Sequence, residues 1–553
     1  MDNSSPPRRA RHRILGTSSV LVVACAALLA SVVPACGART GLNAGPPAPP
    51  EPECYTDEDC AGSGDLCLPV ICELDIPPVR EGADAGGHCI EQDPIDCDDN
   101  DPCTKDECDP LTGLCNYELA TYDLDGDGFR GPLIGKKAGT EGSCGDDCDD
   151  TNAAAYPGGT EVCDGVDNDC NDIVDDNATF VPEGSDPVRI STTDFSYSDP
   201  AGLAFSGDTY VAEYTSGQGK RIFTTGLTPG GDKIPPGDKK LTDVDADSFG
   251  GPLVWTGDRY GAVWQDRRFE NYEIFFTLLN DKGEKVIPDV RISSAFGFSI
   301  YPSIGWNGTE FVIAWQDERD NPGLYNVYAQ RVSLDGNPVG DNVALTSDIQ
   351  GFGNEAPWIA VGETSIGIAW GVGDTNFRFI QFQTFTPDLK PLMPEPISLT
   401  DGSTNARGQT IVWNQTNYVV AWHDESANPK AIYAAVVTED GTVSVPAKAI
   451  SSPGTARSRY PNLRGYGNRV LAVYQDNRDG NQGYELYARM VDESLLPLTG
   501  EERITFWPKD STGPIAAFGP DGEVGVLFQD YDQQSLQQQT FFTRLGCVAG
   551  TTP

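Results

Sequence analysis

The residues best equipped for chemistry in this chain are aspartates at short, regular spacing. Asp123-Leu124-Asp125-Gly126-Asp127-Gly128 sets carboxylates at alternate positions before a glycine, a pattern in which a tight turn folds the oxygens around one hard cation. An EF-hand would need a glutamate where Ile134 stands, so the remaining ligands must come from elsewhere. Candidates follow downstream: Asp147, Asp149 and Asp150, then Asp164, Asp167, Asp169, Asn171 and Asp175. Carboxylate and amide oxygens are hard donors, and no histidine or methionine cluster accompanies them, so Ca²⁺ suits the set and copper suits it less well. A cage of this kind has no nucleophile or base beside it. Its chemistry is structural.

The order of these residues carries a resemblance. Cys144-Gly145-Asp146-Asp147-Cys148-Asp149-Asp150-Thr151-Asn152, then Tyr156-Pro157-Gly158, then Glu161-Val162-Cys163-Asp164-Gly165-Val166-Asp167-Asn168-Asp169-Cys170-Asn171 resembles the MopE-type metal-binding motif of bacterial surface proteins. That resemblance implies a bound metal. Family members continue with Asp-Gly where this chain has Asn171-Asp172, which alters the second loop. More loosely, the segment is similar to thrombospondin type 3 repeats, implying a stalk stiffened by calcium.

The elements that must hold these loops are disulfides. Of sixteen cysteines, Cys25 falls in an apolar leader and Cys36 ends it. The remaining fourteen are an even number, as complete pairing in an oxidising compartment requires. Cys144, Cys148, Cys163 and Cys170 would brace the metal loops, and the isolated Cys547 predicts a long-range bridge from the C-terminus back to the small modules. Residues 54–120 have too few apolar side chains for a core, so disulfides must hold that module as well.

The leader itself has an address. Arg8, Arg9, Arg11 and Arg13 precede an apolar run from Ile14 to Val33, which stops at Val33-Pro34-Ala35-Cys36. This layout resembles a bacterial lipoprotein signal, which implies removal of residues 1–35 and a lipid on Cys36. An uncleaved membrane helix is the rival reading. Gly37 is not the aspartate that retains such lipoproteins on the inner membrane, which points to the outer membrane or cell surface. Residues 36–53 form a Pro-rich extended spacer, and the membrane, through the lipid, is the first expected partner.

Most of the chain builds something else. Beyond Asn177 a period near fifty residues recurs, each unit anchored by an aromatic that ends an alternating strand: Tyr214, Trp264, Trp315, Trp370, Trp422, Tyr474 and Phe528. Each unit is separated from the next by a short fourth strand of the type Arg291-Ile292-Ser293 or Ala344-Leu345-Thr346. The first such triplet, Arg189-Ile190-Ser191, precedes the first anchor and none follows the last. The expected fold class is therefore all-β: a seven-bladed β-propeller over 186–547, closed by the strand around Val188 to Ser191 and preceded by small disulfide-rich, calcium-binding modules (54–120 and 121–178).

Function is less legible than fold. A formal net charge of -45, roughly two-thirds of it between Glu51 and Asn177, argues against nucleic acid as a partner. The aspartates after the anchors (Asp266, Asp317, Asp424, Asp476 and Asp530) recur from blade to blade, so they are expected to lock adjacent blades rather than bind ligand. The first and fourth units depart from this pattern, with Thr215-Ser216 and Gly371-Val372. His423 stands where other units have glutamine and is expected to be structural. The units lack the Ser-x-Asp-x-Gly-x-Thr-Trp boxes of sialidases. The expectation is a binding, adhesion or envelope-scaffold module with an unnamed protein or glycan ligand, not an enzyme; the alternative is a propeller-type carbohydrate-active enzyme.

Overall fold

A computed structural model describes residues 53–549, apart from 61–64, 75–86, 162–165, 173–177, 193–196, 218–219, 243, 245, 348–350, 375, 428–429, 453–456, 480–482, 508 and 533–535. The leader and Cys36 lie outside the described residues, as do Cys163, Asp164 and Asp175. Two compact units divide the chain: the described residues up to Cys97 with Glu107–Asn116, and Asp98–Asp106 with everything from Tyr117 onward. Among the described residues there is no α-helix, and no helix long and apolar enough to cross a membrane.

In the first unit disulfides replace a core. Cys54–Cys72, Cys60–Cys89, Cys67–Cys108 and Cys97–Cys115 are joined there, so these thiols are not available to zinc. The second unit holds Cys103–Cys144 and Cys148–Cys170.

The rest of the second unit is a seven-bladed propeller. Its sheets are seven four-stranded antiparallel meanders. In blade 3 the strands are Ser299–Trp306, Glu310–Asn321, Leu324–Ser333 and Pro338–Ala344. All seven anchors lie on second strands and are buried. Between neighbouring blades sit seven apolar clusters, one for each junction, so burial is spread evenly round the ring.

The outer triplets have a physical reason. Their middle aliphatic residue donates its N–H to the third strand, as in Ile292 to Ile274 O and Ile504 to Leu486 O, each 2.8 Å. The hydroxyl that follows then accepts an N–H from the same strand: Ser293 from Ile274 (2.8 Å), Thr346 from Val327 (2.8 Å), Ser451 from Ile432 (2.9 Å) and Thr505 from Leu486 (2.9 Å). A Ser or Thr there extends the ladder by one bond where regular pairing stops after two residues, as in Val290–Arg291.

Blade 7 closes the ring. Its order is Thr512–Phe518, Val524–Asp532, Gln537–Ala549 and then the N-terminal strand Ala178–Arg189. Phe541 pairs with Arg189 and Phe542 with Val188, and after a register shift the ladder continues from Arg544 opposite Glu183 to Ala549 opposite Ala178. The closing strand is thus longer than the expected Val188–Ser191. Pro182 and Pro187 are tolerated because this is the outermost strand, whose far edge needs no N–H donors.

The recurrent aspartates lock their own blade, not the next. Asp317 accepts from Trp315 Nε1 (2.8 Å), Ser299 Oγ (2.8 Å) and Arg319 Nε (2.8 Å), while the Arg319 guanidinium lies 4.1 Å from the Tyr328 ring centroid. Blades 2 and 6 repeat this with Asp266–Arg268 over Phe275 and Asp476–Arg478 over Tyr487. In blade 4, where Gly371-Val372 stands, Asn354 Oδ1 takes the Trp370 Nε1 bond instead (3.0 Å).

Blade 7 keeps the aspartate and loses the arginine, since Asp532 stands where Arg319 would be. The consequence is electrostatic. Burial opposes the charge of Asp317, but bonds from Arg319, Trp315 and Ser299 overcome it and hold its carboxyl below the ordinary range. Burial raises Asp530 to about 7, with only Ser511 and the Tyr531 N–H opposing it. A raised folded-state pKa gives stability that is complete below the unfolded value and is lost as pH rises through about 7. Urea midpoints measured against pH should therefore fall less for Asp530→Asn than for the wild type between pH 4 and pH 7. Asp317→Asn should cost roughly 3 kcal/mol at pH 7 by stranding Arg319. Equal pH slopes for wild type and Asp530→Asn would refute the assignment.

Candidate metal centre and propeller face

The metal loops are built by turns in which carboxylates cap the backbone. Asp123 accepts from Gly126 N (2.7 Å) and Gly128 N (3.1 Å), Asp125 from Asp127 N (3.2 Å), and Asp127 from Phe129 N (2.8 Å). Gly126 and Gly128 adopt φ of 86° and 101°, which lets the loop close. Asp123, Asp125 and Asp127 bring one oxygen each within 4.8 Å of one another. Asp147, fully buried, lies close enough to feel them: burial raises its carboxyl, and the charges of Asp127, Asp125 and Asp150 raise it further.

These carboxylates fit a cation by a direct measure. In Asp125, Asp127 and Asp147, Oδ1 is spent on a backbone N–H, whereas Oδ2 is buried with no hydrogen-bond partner. Buried acceptors of this kind are costly unless something positive satisfies them. Asp150 Oδ1 accepts from Leu124 N (3.0 Å) and ties the two loops together. Asp149 caps its own turn, its Oδ1 accepting from Thr151 Oγ1 (2.7 Å).

A second cluster holds Glu161, Asp167 and Asp169 within 4.8 Å. Glu161 Oε1 accepts from Asp169 N (2.8 Å), and Asp167 accepts from Asn171 N (3.0 Å) and Asp172 N (2.7 Å). Asp172 takes φ of 73° in place of the family's glycine, so this turn keeps its left-handed residue. Asn171 is exposed and contributes its N–H to the turn. Glu161 is the member that reading for aspartates missed; its place eight residues before Asp169 was the available signal. The Cys148–Cys170 bridge fastens the two ends of the motif together.

Cys547 pairs through its backbone with Phe180. Twelve cysteines are bridged among the described residues, leaving Cys163 and Cys547 of the fourteen. Non-reducing peptide mapping should return a Cys163–Cys547 peptide; free thiols at both positions would refute the pairing. Asp147→Asn should abolish divalent-cation binding at the first cluster in calorimetric titration, and unchanged stoichiometry would count against that cluster.

The propeller offers a different kind of site. Each first strand carries a register shift beside the channel, for example between Ile300 and Ser303 and between Arg459 and Asn462. Pro200, Pro252, Pro302, Pro357, Pro461 and Pro514 stand at these shifts and line a central cavity of about 560 Å³. Proline suits a bulge because its missing N–H leaves no ladder bond unmade.

Adjacent blades are joined here by the residue after each anchor. Gln265 Oε1 accepts from Tyr301 N (2.6 Å), Gln316 Oε1 from Ala356 N (2.8 Å), His423 Nδ1 from Tyr460 N (3.3 Å), Gln475 Oε1 from Gly513 N (3.2 Å) and Thr215 Oγ1 from Gly250 N (2.9 Å). Gln529 Nε2 bonds Ser198 O (2.8 Å) and Asp199 across the closing seam. Blade 4 has Gly371 at this position, and Gln409 of blade 5 reaches back to Ala356 O (2.6 Å). His423, lowered to about 4 by burial, is neutral, as an accepting Nδ1 requires.

Two first strands place large side chains on the rim. Tyr301 and Tyr460 have φ of 54° and 50° and are 60% and 51% exposed; the matching residues are Ala356, also left-handed at φ 51°, and the glycines Gly408 and Gly513, each at φ 59°. Asp199 is the single carboxylate among the residues lining this cavity, and burial raises it to about 6 against the opposing Gln529 bond. Behind the wall, burial pushes Glu213 well above the ordinary range. It accepts from Gly251 N at 3.2 Å, and its Oε2 is unpartnered.

Comparisons with known proteins match separate parts of the chain. The family model described as "Putative metal-binding motif", of the copper-binding MopE type, matches residues 147–176. A Dictyostelium (slime mold) repeat matches residues 96–118. No curated protein matches the chain. Among solved structures, a prolyl endopeptidase is similar at 13% identity and TM-score 0.40, covering 63% of this chain and 47% of its own. The chain thus spans about half the length of that protein. A thermostable family-43 glycoside hydrolase is similar at 11% identity and TM-score 0.30, over 46% of this chain and 95% of its own. The N11 neuraminidase-like protein of a flat-faced bat influenza virus is similar at 12% and TM-score 0.37, over 68% and 95%. These likenesses concern fold alone.

Proposed function

We propose that the chain is an exported surface lipoprotein whose propeller is a recognition module, held off the membrane by a stalk stiffened with Ca²⁺. The observation that carries the recognition reading is the pair Tyr301 and Tyr460. Left-handed backbone costs a non-glycine residue roughly 1–2 kcal/mol, yet both keep exposed aromatic rings at the channel mouth. Strain retained beside a cavity is a mark of binding surfaces, and exposed rings suit stacking on apolar faces of a glycan or protein ligand.

Calcium is favoured over copper because the clustered donors are carboxylate oxygens. The alternative, a carbohydrate-active enzyme, draws support from Asp199, whose raised pKa would suit a general acid. Two-carboxylate hydrolysis needs a second acid facing the same lumen, and Asp199 has no such companion among the lining residues.

A glycan and peptide array probed with the full chain should give saturable binding that the double variant Tyr301→Ala, Tyr460→Ala weakens by about tenfold or more, without turnover. Product release abolished by Asp199→Asn would replace recognition with catalysis. Cys36→Ala should eliminate lipid labelling in cells, and persistent labelling would refute the anchor.

A further inference from the structure

The channel continues past Pro252 and Trp358 into a second lumen of about 300 Å³, walled by Trp255, Trp358, Phe205 and Phe518. Arg464 is the only charged residue among its lining residues. The register makes this singular. Arg464 stands opposite Leu471, and the same position in the other blades holds Ala204, Val254, Gly305, Ala360, Val412 and Ala517.

The guanidinium has little to satisfy it. Nη1 donates to Leu463 O at 2.7 Å, one of five N–H donors on the group. Among the described residues no carboxylate pairs with it. Burial alone lowers it to about 10, so it stays charged at neutral pH. Six blades build the same wall from small apolar residues, so the fold does not need a cation here. Arg464 is partly buried, and its remaining N–H groups open onto the lumen, where an anion would meet them with charge-assisted bonds.

The walls also select the anion. One guanidinium neutralises one negative charge, and a dianion would leave an uncompensated charge within an already acidic protein. A carboxylate matches the planar fork with two parallel bonds, and the aromatic walls favour an apolar body behind it. We propose that the inner lumen binds a small organic monocarboxylate, its carboxylate paired with Arg464 and its apolar body against the tryptophan-lined wall. This site does not depend on the recognition reading of Tyr301 and Tyr460, which concerns the outer mouth.

The test is titration of the full chain with acetate, butyrate and benzoate, followed by tryptophan fluorescence and calorimetry, with benzyl alcohol and sulfate as controls. Butyrate or benzoate should bind saturably and more tightly than acetate, and benzyl alcohol should not bind. Arg464→Met should weaken carboxylate binding by at least about tenfold while melting no lower than the wild type in anion-free buffer. Arg464→Lys, which keeps the charge and loses the fork, should bind at an intermediate level. No saturable change with any of the three acids, undiminished binding in Arg464→Met, or tighter binding of sulfate than of benzoate would each overturn the proposal.

Discussion

Everything in the propeller depends on the pairing of its last strand with its first. Gln537–Ala549 and Ala178–Arg189 join residues more than three hundred positions apart, from Phe541 with Arg189 to Ala549 with Ala178. Without that ladder, blade 7 would expose the edge of its third strand and blade 1 would lose the neighbour that buries Leu203, Tyr210 and Tyr214. The loop-closure entropy is large but grows only slowly with length. Two further contacts share the load at the same seam: Arg189 with Asp532 at 3.1 Å and Ser198 with Thr540 at 2.8 Å.

Closure fixes the circumference, and the first strands then decide what the centre can hold. A proline beside six of the seven register shifts turns the strand, and in blades 2, 3, 5 and 6 the glutamine or histidine after the anchor captures a backbone N–H that the shift releases. The same local device therefore joins the blades and shapes the channel. A glutamine in this role cannot at the same time serve a ligand. The side chains left for recognition are those projecting from the shift itself, which is why Tyr301 and Tyr460 matter more than the conspicuous aspartates.

The repeat and blade count were legible because anchors and outer triplets obey simple rules: a buried ring every fifty residues, and an aliphatic residue followed by a hydroxyl wherever a short strand ends. The closing strand was legible in existence and not in length, since Pro182 and Pro187 read as breaks until their place on an outer edge is known. The partner of each recurrent aspartate was not legible at all. Asp317 and Gln316 are adjacent, point to opposite faces of one strand, and serve different blades, a distinction that depends on sheet geometry rather than residue type. In the metal loops, spacing located Asp123, Asp125, Asp127 and Asp147, but only burial separates Asp147, with its orphaned oxygen, from Asp149, which caps its own turn.

Departures from the repeat are where the ring buries its least compensated ionisable groups. Blade 1 lacks the glutamine, and Glu213 takes over Gly251 N from a position where the other blades have Val263, Ala314, Ala369, Ala421, Val473 or Leu527. Blade 7 lacks the arginine that would ionise Asp530, and blade 6 sends Arg464 into the lumen. These three blades are consecutive across the seam. A repeat array selected only for stability would have removed Glu213 and Arg464, since each sister blade has an apolar residue or glycine at the same position. Arg464 breaks the sevenfold equivalence of the inner lumen and gives its wall a polarity that identical blades could not supply.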